Sequence, residues 1–218
     1  MNCGIDHIIW ACTDLEAGIE TFEAMSGVRA EVGGKHPDLG THNALMHLGN
    51  RCYLEIVAPD PNQGGGPWSR TLKSMSEASL LHWVIARPNL GDYTSGLSGL
   101  IGGDNEVTEI SRQHPKLGLL EWQLLMLPKH EYGCLVPFLI DWHDTTHPTE
   151  LLEPVCTLSR IRITTPQLAD IMKISAWLGL NAEFTEGEEA KLECVIETPK
   201  GQLTLSTPHP LPAGVTFR

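Results

Sequence analysis

The chain has 218 residues, 41% of them hydrophobic and 19% charged, which describes an ordinary globular protein with material for one large core or a pair of smaller units. A total of 15 Lys and Arg against 27 Asp and Glu gives a net charge of −12 with no basic run, which excludes nucleic acid as the main partner. No apolar run approaches the ~20 residues of a membrane span. No signal peptide precedes the first predicted strand, and six scattered cysteines form no CxxC pair, so a reducing cytoplasm is the expected compartment.

Along the chain, Ile5, His7, Ile9 and Ala11 share one face of a predicted strand, with Asp6, Ile8 and Trp10 on the other. Thr13 followed by Glu16 reads as a capping box, and Leu15, Ile19, Phe22 and Met25 recur at helical spacing before Gly27 closes the helix. Residues 28–32 read as a short strand. Residues 42–48, a Gly49-Asn50 turn and residues 51–58 read as a hairpin in which Tyr53, Glu55 and Val57 share a face. Residues 1–60 are thus predicted to form a β-α-β-β-β module. Residues 61–79 link it to the next, with a Gly- and Pro-rich stretch at 61–69 and a short helix over 71–78. The run Gly64–Gly66 is not followed by Lys-Ser/Thr and is a linker, not a phosphate cradle.

Residues 80–148 repeat the pattern. Residues 80–102 lie over 5–27 at a constant offset that pairs His7 with His82, Ala11 with Ala86, Leu15 with Leu90, Phe22 with Leu97 and Gly27 with Gly102. A helix from near Asn89, a long hairpin over 106–127 and a closing strand over 136–142 complete this second module. A fainter third copy spans 155–218, with a strand at 160–163, a helix over 166–178 closed by Gly179, and a hairpin of 192–198 with 202–207. In it Ser159 stands at the position of His7 and Thr204 at that of Glu55, so the scaffold is repeated without the charged side chains. Because such modules work in pairs, the odd third copy is a candidate for homodimerisation.

His7, Glu55 and His82 come from three strands that can converge if the two modules curve their sheets around a common cavity. Two neutral imidazoles and a carboxylate make a site for a divalent transition metal (Zn, Ni, Fe, Co or Mn) with positions open to water or substrate. Hydrogen-bonded core histidines and a solvent-facing glutamate are the structural alternative.

The stretches IDHIIWACTDLEAG, GTHNALMHLGNRCYLEIVAPDP and PFLIDWHDTTHP resemble the glyoxalase-like domain of the vicinal oxygen chelate superfamily over about residues 4–148. The resemblance implies an α+β fold of paired βαβββ modules around a cavity, here with a degenerate third module. It also implies His7, Glu55 and His82 as metal ligands, with Glu55 in the catalytic role. The implied chemistry is that of a divalent-metal-dependent lyase, isomerase or dioxygenase acting on a small molecule with vicinal oxygens. The same fold hosts metal-free binding and sequestering proteins, which supply the alternative function. At the fourth ligand position the chain departs from the pattern. Asp141 stands where a glutamate is expected and is one methylene shorter, while Ile140 can take the inward position instead, so three- and four-ligand sites both remain open.

Further pocket contacts are expected from His42, Asn43, Trp122 and His143. His42 and His47 have opposite parity on their strand, so only one of them can face the cavity. Asn43 and Glu121 offer polar contacts, and Trp122 can form an apolar wall with Trp83 and Trp142. His143, in a loop with Asp144 and His147, is placed at the rim.

Overall fold

The two modules meet as halves of one sheet. A computed structural model describes residues 4–37, 39–63, 66–103, 105–114, 118–127 and 130–208; Cys3, Gly64 and Gly65 lie outside them. The first module runs β1 (Ile5–Ala11), α1 (Leu15–Ser26), β2 (Glu31–His36), β3 (Thr41–His47) and β4 (Tyr53–Pro59). After α2 (Pro67–Lys73) the second runs β5 (Ser79–Ala86), α3 (Gly91–Ile101), β6 (Val107–His114), β7 (Gly118–Leu125) and β8 (Phe138–Asp141). These eight strands form one sheet in the order β2-β3-β4-β1-β5-β8-β7-β6. In each module the first and last strands pair in parallel, β1 with β4 and β5 with β8.

The halves join where β1 and β5 run antiparallel, with His7 opposite Val84 and Ile9 opposite His82. That register is symmetric under exchange of the modules, as the internal repeat requires.

The local chemistry of α1 differs from expectation by one residue. The N-cap is Asp14, not Thr13: Asp14 is extended (φ −139°) and its carboxylate accepts the Ala17 N–H at 2.9 Å. Gly27 closes the helix in the left-handed region, as expected. Within α1, Gly18 faces β4 so closely that a Cβ would lie 2.5 Å from Cys12 Sγ and 3.2 Å from Ile56 Cγ2. Gly→Ala in a helix normally gains up to ~1 kcal/mol, but overpacking costs about 1–3 kcal/mol. Gly18→Ala should therefore lower the thermal unfolding midpoint; a rise would show that α1 does not sit this close to β4. The linking helix also starts earlier than expected, because Pro67 sets its first turn.

The third unit contains β9 (Thr157–Thr165), α4 (Leu168–Leu178), β10 (Glu183–Glu186), β11 (Lys191–Thr198) and β12 (Gly201–Ser206). It keeps the module's order of elements, but its strands pair as β10-β9-β11-β12. Here β10 lies parallel beside β9, and β11 is antiparallel to β9 on its other side. In the first module the strand parallel to β1 is the last one, β4, and no periodicity in the sequence encodes that choice of neighbour. The unit docks through a Leu158 N–H to Leu48 carbonyl bond of 2.9 Å and through Arg87, which donates to the Leu178 carbonyl. Its apolar residues join a core continuous with that of the large sheet.

Candidate active site

Between the two halves of the large sheet lies a cavity of about 100 Å³. His7 and Ile9 of β1, Asn43 of β3, Glu55 of β4, Val84 of β5 and Ile140 of β8 all reach it, so both modules contribute. Trp122, Leu124 and Phe138 form much of its apolar wall, and none of the described lining residues is Lys or Arg.

His7 and Glu55 face each other here, with His7 Nε2 3.8 Å from Glu55 Oε2. The other oxygen, Oε1, accepts a 2.6 Å hydrogen bond from Asn43 Nδ2 and stands 3.8 Å from His36 Nε2. His36 is positioned by β2–β3 pairing, which sets it opposite Thr41, and its Nδ1 lies 3.0 Å from Thr41 Oγ1. Two imidazole nitrogens therefore flank the two oxygens of one carboxylate.

Behind His7 stands a buried carboxylate. Asp6 Oδ1 is 2.7 Å from His7 Nδ1, while Oδ2 is 3.0 Å from Trp142 Nε1 and 3.2 Å from His147 Nε2. Adjacent strand residues normally point to opposite faces, but a register shift between Ile5 and His7 against β5 brings these two side chains together. Burial raises the Asp6 pKa, and the bonds to His147 and His7 more than offset this, holding it below the ordinary carboxylate value. His7 also stacks on Tyr53 with ring centroids 4.7 Å apart.

The remaining expected residues separate. His82 is 3% exposed and does not line the cavity. Its ring stacks on Phe138 at 3.8 Å, and its Nδ1 is engaged by the backbone of Trp83. Asp141 points away from the cavity: Oδ2 accepts the Asn89 N–H and Oδ1 the His143 N–H, each at 2.9 Å. Ile140 takes the inward position, because alternation along β8 permits only one of the pair to face inward. His143 lies beside Asp141 in a groove of about 740 Å³ against the third unit, apart from the cavity. On β3 the inward residues are Thr41, Asn43 and Leu45, which turns His42 to the other face. Trp122 does line the cavity, packed at 5.1 Å against Trp142.

Two contributors, His36 and Asp6, lie outside the expected set, and His147 has a buried role in place of the rim position expected for its loop. His36 was missed because the second strand was placed at 28–32, whereas pairing GGKH with THN puts His36 on the face of Asn43. His147, expected only at the rim with His143 and Asp144, is instead buried behind His7, against Asp6.

Among the described residues, no three His, Cys, Asp or Glu side chains already converge tightly enough to hold an ion. The donor chemistry of His7, His36 and Glu55 nonetheless fits one. Two bonds of ~2.1 Å at a tetrahedral angle span ~3.4 Å, and both nitrogen–oxygen gaps are 3.8 Å, so an ion would draw the three side chains inward by a few tenths of an ångström. A carboxylate behind a ligating histidine is also the usual supporting arrangement.

A family described as the glyoxalase-like domain matches residues 5–179. No curated protein matches the sequence. Among solved structures, a hypothetical protein from Staphylococcus aureus is 16% identical, covering 93% of this chain and 84% of its own, with a TM-score of 0.58. A Streptomyces coelicolor methylmalonyl-CoA epimerase is 18% identical over 65% of this chain and 98% of its own, with a TM-score of 0.44. A 4-hydroxymandelate synthase mutant from Streptomyces coelicolor is 13% identical over 96% of this chain and 64% of its own, with a TM-score of 0.49. At such identities the likeness bears on the fold alone, and the Staphylococcus aureus structure carries it.

Proposed function

The chain belongs to the glyoxalase-like domain family of the vicinal oxygen chelate superfamily, and from that premise we propose that it is a divalent-metal-dependent enzyme acting on a small molecule with vicinal oxygens. The observation that supports this is the placement of His7 Nε2 and His36 Nε2, each 3.8 Å from one oxygen of Glu55. These three side chains would hold a Zn, Ni, Fe, Co or Mn ion. Such an ion supplies Lewis acidity toward paired oxygens of a substrate and stabilises negative charge that develops on them.

The protein's own groups do the rest. Asn43 fixes Glu55 through Oε1, leaving Oε2 on the side of His7, and Glu55 is the carboxylate suited to move a proton in lyase or isomerase chemistry. Dioxygenase chemistry would use the same ligands. The apolar wall of Trp122, Leu124 and Phe138 excludes water and raises the strength of these polar contacts. At about 100 Å³ the cavity is well below the ~300–1,000 Å³ of drug-sized sites, so the reacting end of the substrate is compact.

The test is the metal content of untagged protein, as purified and after reconstitution with each of the five metals. Near-stoichiometric metal, lost in His7→Ala, supports the proposal; absence after reconstitution with all five overturns it. A metal-free binding protein is the second reading, favoured by Ile140 in the inward position of β8 and by a largely apolar wall.

No described helix is long and apolar enough to cross a membrane. Five buried, unpaired cysteines, Cys12, Cys52, Cys134, Cys156 and Cys194, accord with a reducing cytoplasmic setting. For assembly, we retain a homodimer made through the third unit, which leaves Met172 52% exposed and Val155 45% exposed. Sedimentation at micromolar concentration should show a dimer, and a monomer would count against it.

A further inference from the structure

We infer that Asp6 is a positioning residue that holds His7 in the Nδ1–H tautomer, so that the Nε2 lone pair faces Glu55 inside the cavity. The inference rests on His7 being a site residue, as proposed above, but it concerns the metal-free protein.

The hydrogen bonds around Asp6 determine the proton positions. The Thr149 backbone N–H can only donate, and it approaches His147 Nδ1 at 3.3 Å, so Nδ1 is the acceptor, the Thr149 hydroxyl at 2.7 Å donates to it as well, and the proton of neutral His147 sits on Nε2. That Nε2–H donates to Asp6 Oδ2 at 3.2 Å. The indole of Trp142 is also a donor only, and it reaches the same Oδ2 at 3.0 Å. Oδ2 is thus committed to two donors, and Oδ1 is left for His7 at 2.7 Å. A carboxylate only accepts, so His7 Nδ1 must carry the proton. In the neutral ring Nε2 then presents a lone pair toward Glu55, in the state required either to bind a cation or to accept a proton.

Because the two sides of Asp6 are unequal, one substitution has a defined result. In Asp6→Asn the amide NH₂ cannot face Trp142 and His147, since both donate, so the amide oxygen takes the Oδ2 place. The NH₂ is left pointing at His7 Nδ1, which must become an acceptor. The His7 proton moves to Nε2, and the lone pair leaves the cavity. The variant is nearly isosteric and keeps the packing of Tyr53 and Trp142 around it, yet inverts the ring it supports.

The test is a long-range ¹H–¹⁵N correlation spectrum of the metal-free, uniformly ¹⁵N-labelled full chain at pH 8, with His7 assigned through its loss in His7→Gln. The wild type should show a protonated Nδ1 and an unprotonated Nε2 at His7, and Asp6→Asn should exchange them. Affinity for Zn or Co should then fall about 10–100-fold in the variant, while near-ultraviolet circular dichroism stays native. A wild-type His7 protonated on Nε2 overturns the inference by itself, whether or not the variant folds. A folded Asp6→Asn protein with His7 unchanged overturns it as well. If the tautomers exchange as stated but neither protein takes up metal, the positioning role stands and the metal-dependent function fails.

Discussion

Lowering the pH from about 6.5 toward 3 should weaken the fold through His82 by about 1.4 kcal/mol per pH unit. Burial pushes the His82 pKa down from 6.5 to about 3; its bond to the Trp83 backbone opposes this, and the nearby His130 and His7 add to it. The unfolded chain takes up a proton near pH 6.5, while the folded chain remains neutral at this ring until about pH 3. Within that window the unfolded state binds more protons, so acid favours it. Over the full window the loss is on the order of 5 kcal/mol, comparable to the entire stability of a marginal domain. Asp6 contributes in the same direction at lower pH. Its pKa is depressed, so its stabilisation is present above the ordinary carboxylate value and is lost as the pH falls through the folded value. Urea unfolding at pH 7, 6 and 5 should show this slope, and His82→Gln should flatten it by about 1.4 kcal/mol per unit. If the slope is the same in both proteins, His82 titrates normally and is not the buried residue found against Phe138.

Glu55→Gln should lower the affinity for Zn or Co by more than ~100-fold, since loss of a supporting partner alone costs about 10–100-fold. Competition against a chromophoric chelator measures this directly. Asp141→Asn should leave the affinity unchanged, because its carboxylate is spent on the Asn89 and His143 N–H groups. Both of those residues have positive φ, 55° and 48°, so Asp141 stabilises two strained turns. Loss of one of its two bonds should cost about 1–3 kcal/mol of stability and lower the unfolding midpoint. The pair separates ligand from scaffold: a large affinity loss in Asp141→Asn would return that residue to the metal.

The paired modules were legible because apolar phase, cap glycine and strand histidine recur together between residues 5–27 and 80–102. The same periodicity set His7 on a face with Ile9 and Glu55 on a face with Tyr53 and Val57, since alternation along a strand is local. Asn43 and Trp122 stand in the sequence as candidates alongside their neighbours His42 and Glu121, and the cavity separates them. What escaped depended on register and neighbours. His82 shares its position in the repeat with His7, but packing on Phe138 at 3.8 Å withdraws it from the cavity. On β8 the sequence leaves Ile140 and Asp141 both open, and one residue of register decides it, turning Ile140 inward and Asp141 outward. The third unit shows the same limit on a larger scale, because order along the chain predicted its first strand, helix and hairpin but neither the strand β10 nor its place beside β9. Asp6 was hidden by the strand pattern itself, which assigns it to the face opposite His7 until the shift in β1 brings them together.

A crystal structure of untagged, reconstituted protein, with anomalous scattering recorded at the absorption edge of the added metal, tests the central claim most directly. One peak per chain bounded by His7 Nε2, His36 Nε2 and the Glu55 carboxylate is the predicted result. An empty cavity in protein saturated with metal, or a peak at His82 or Asp141, would contradict it.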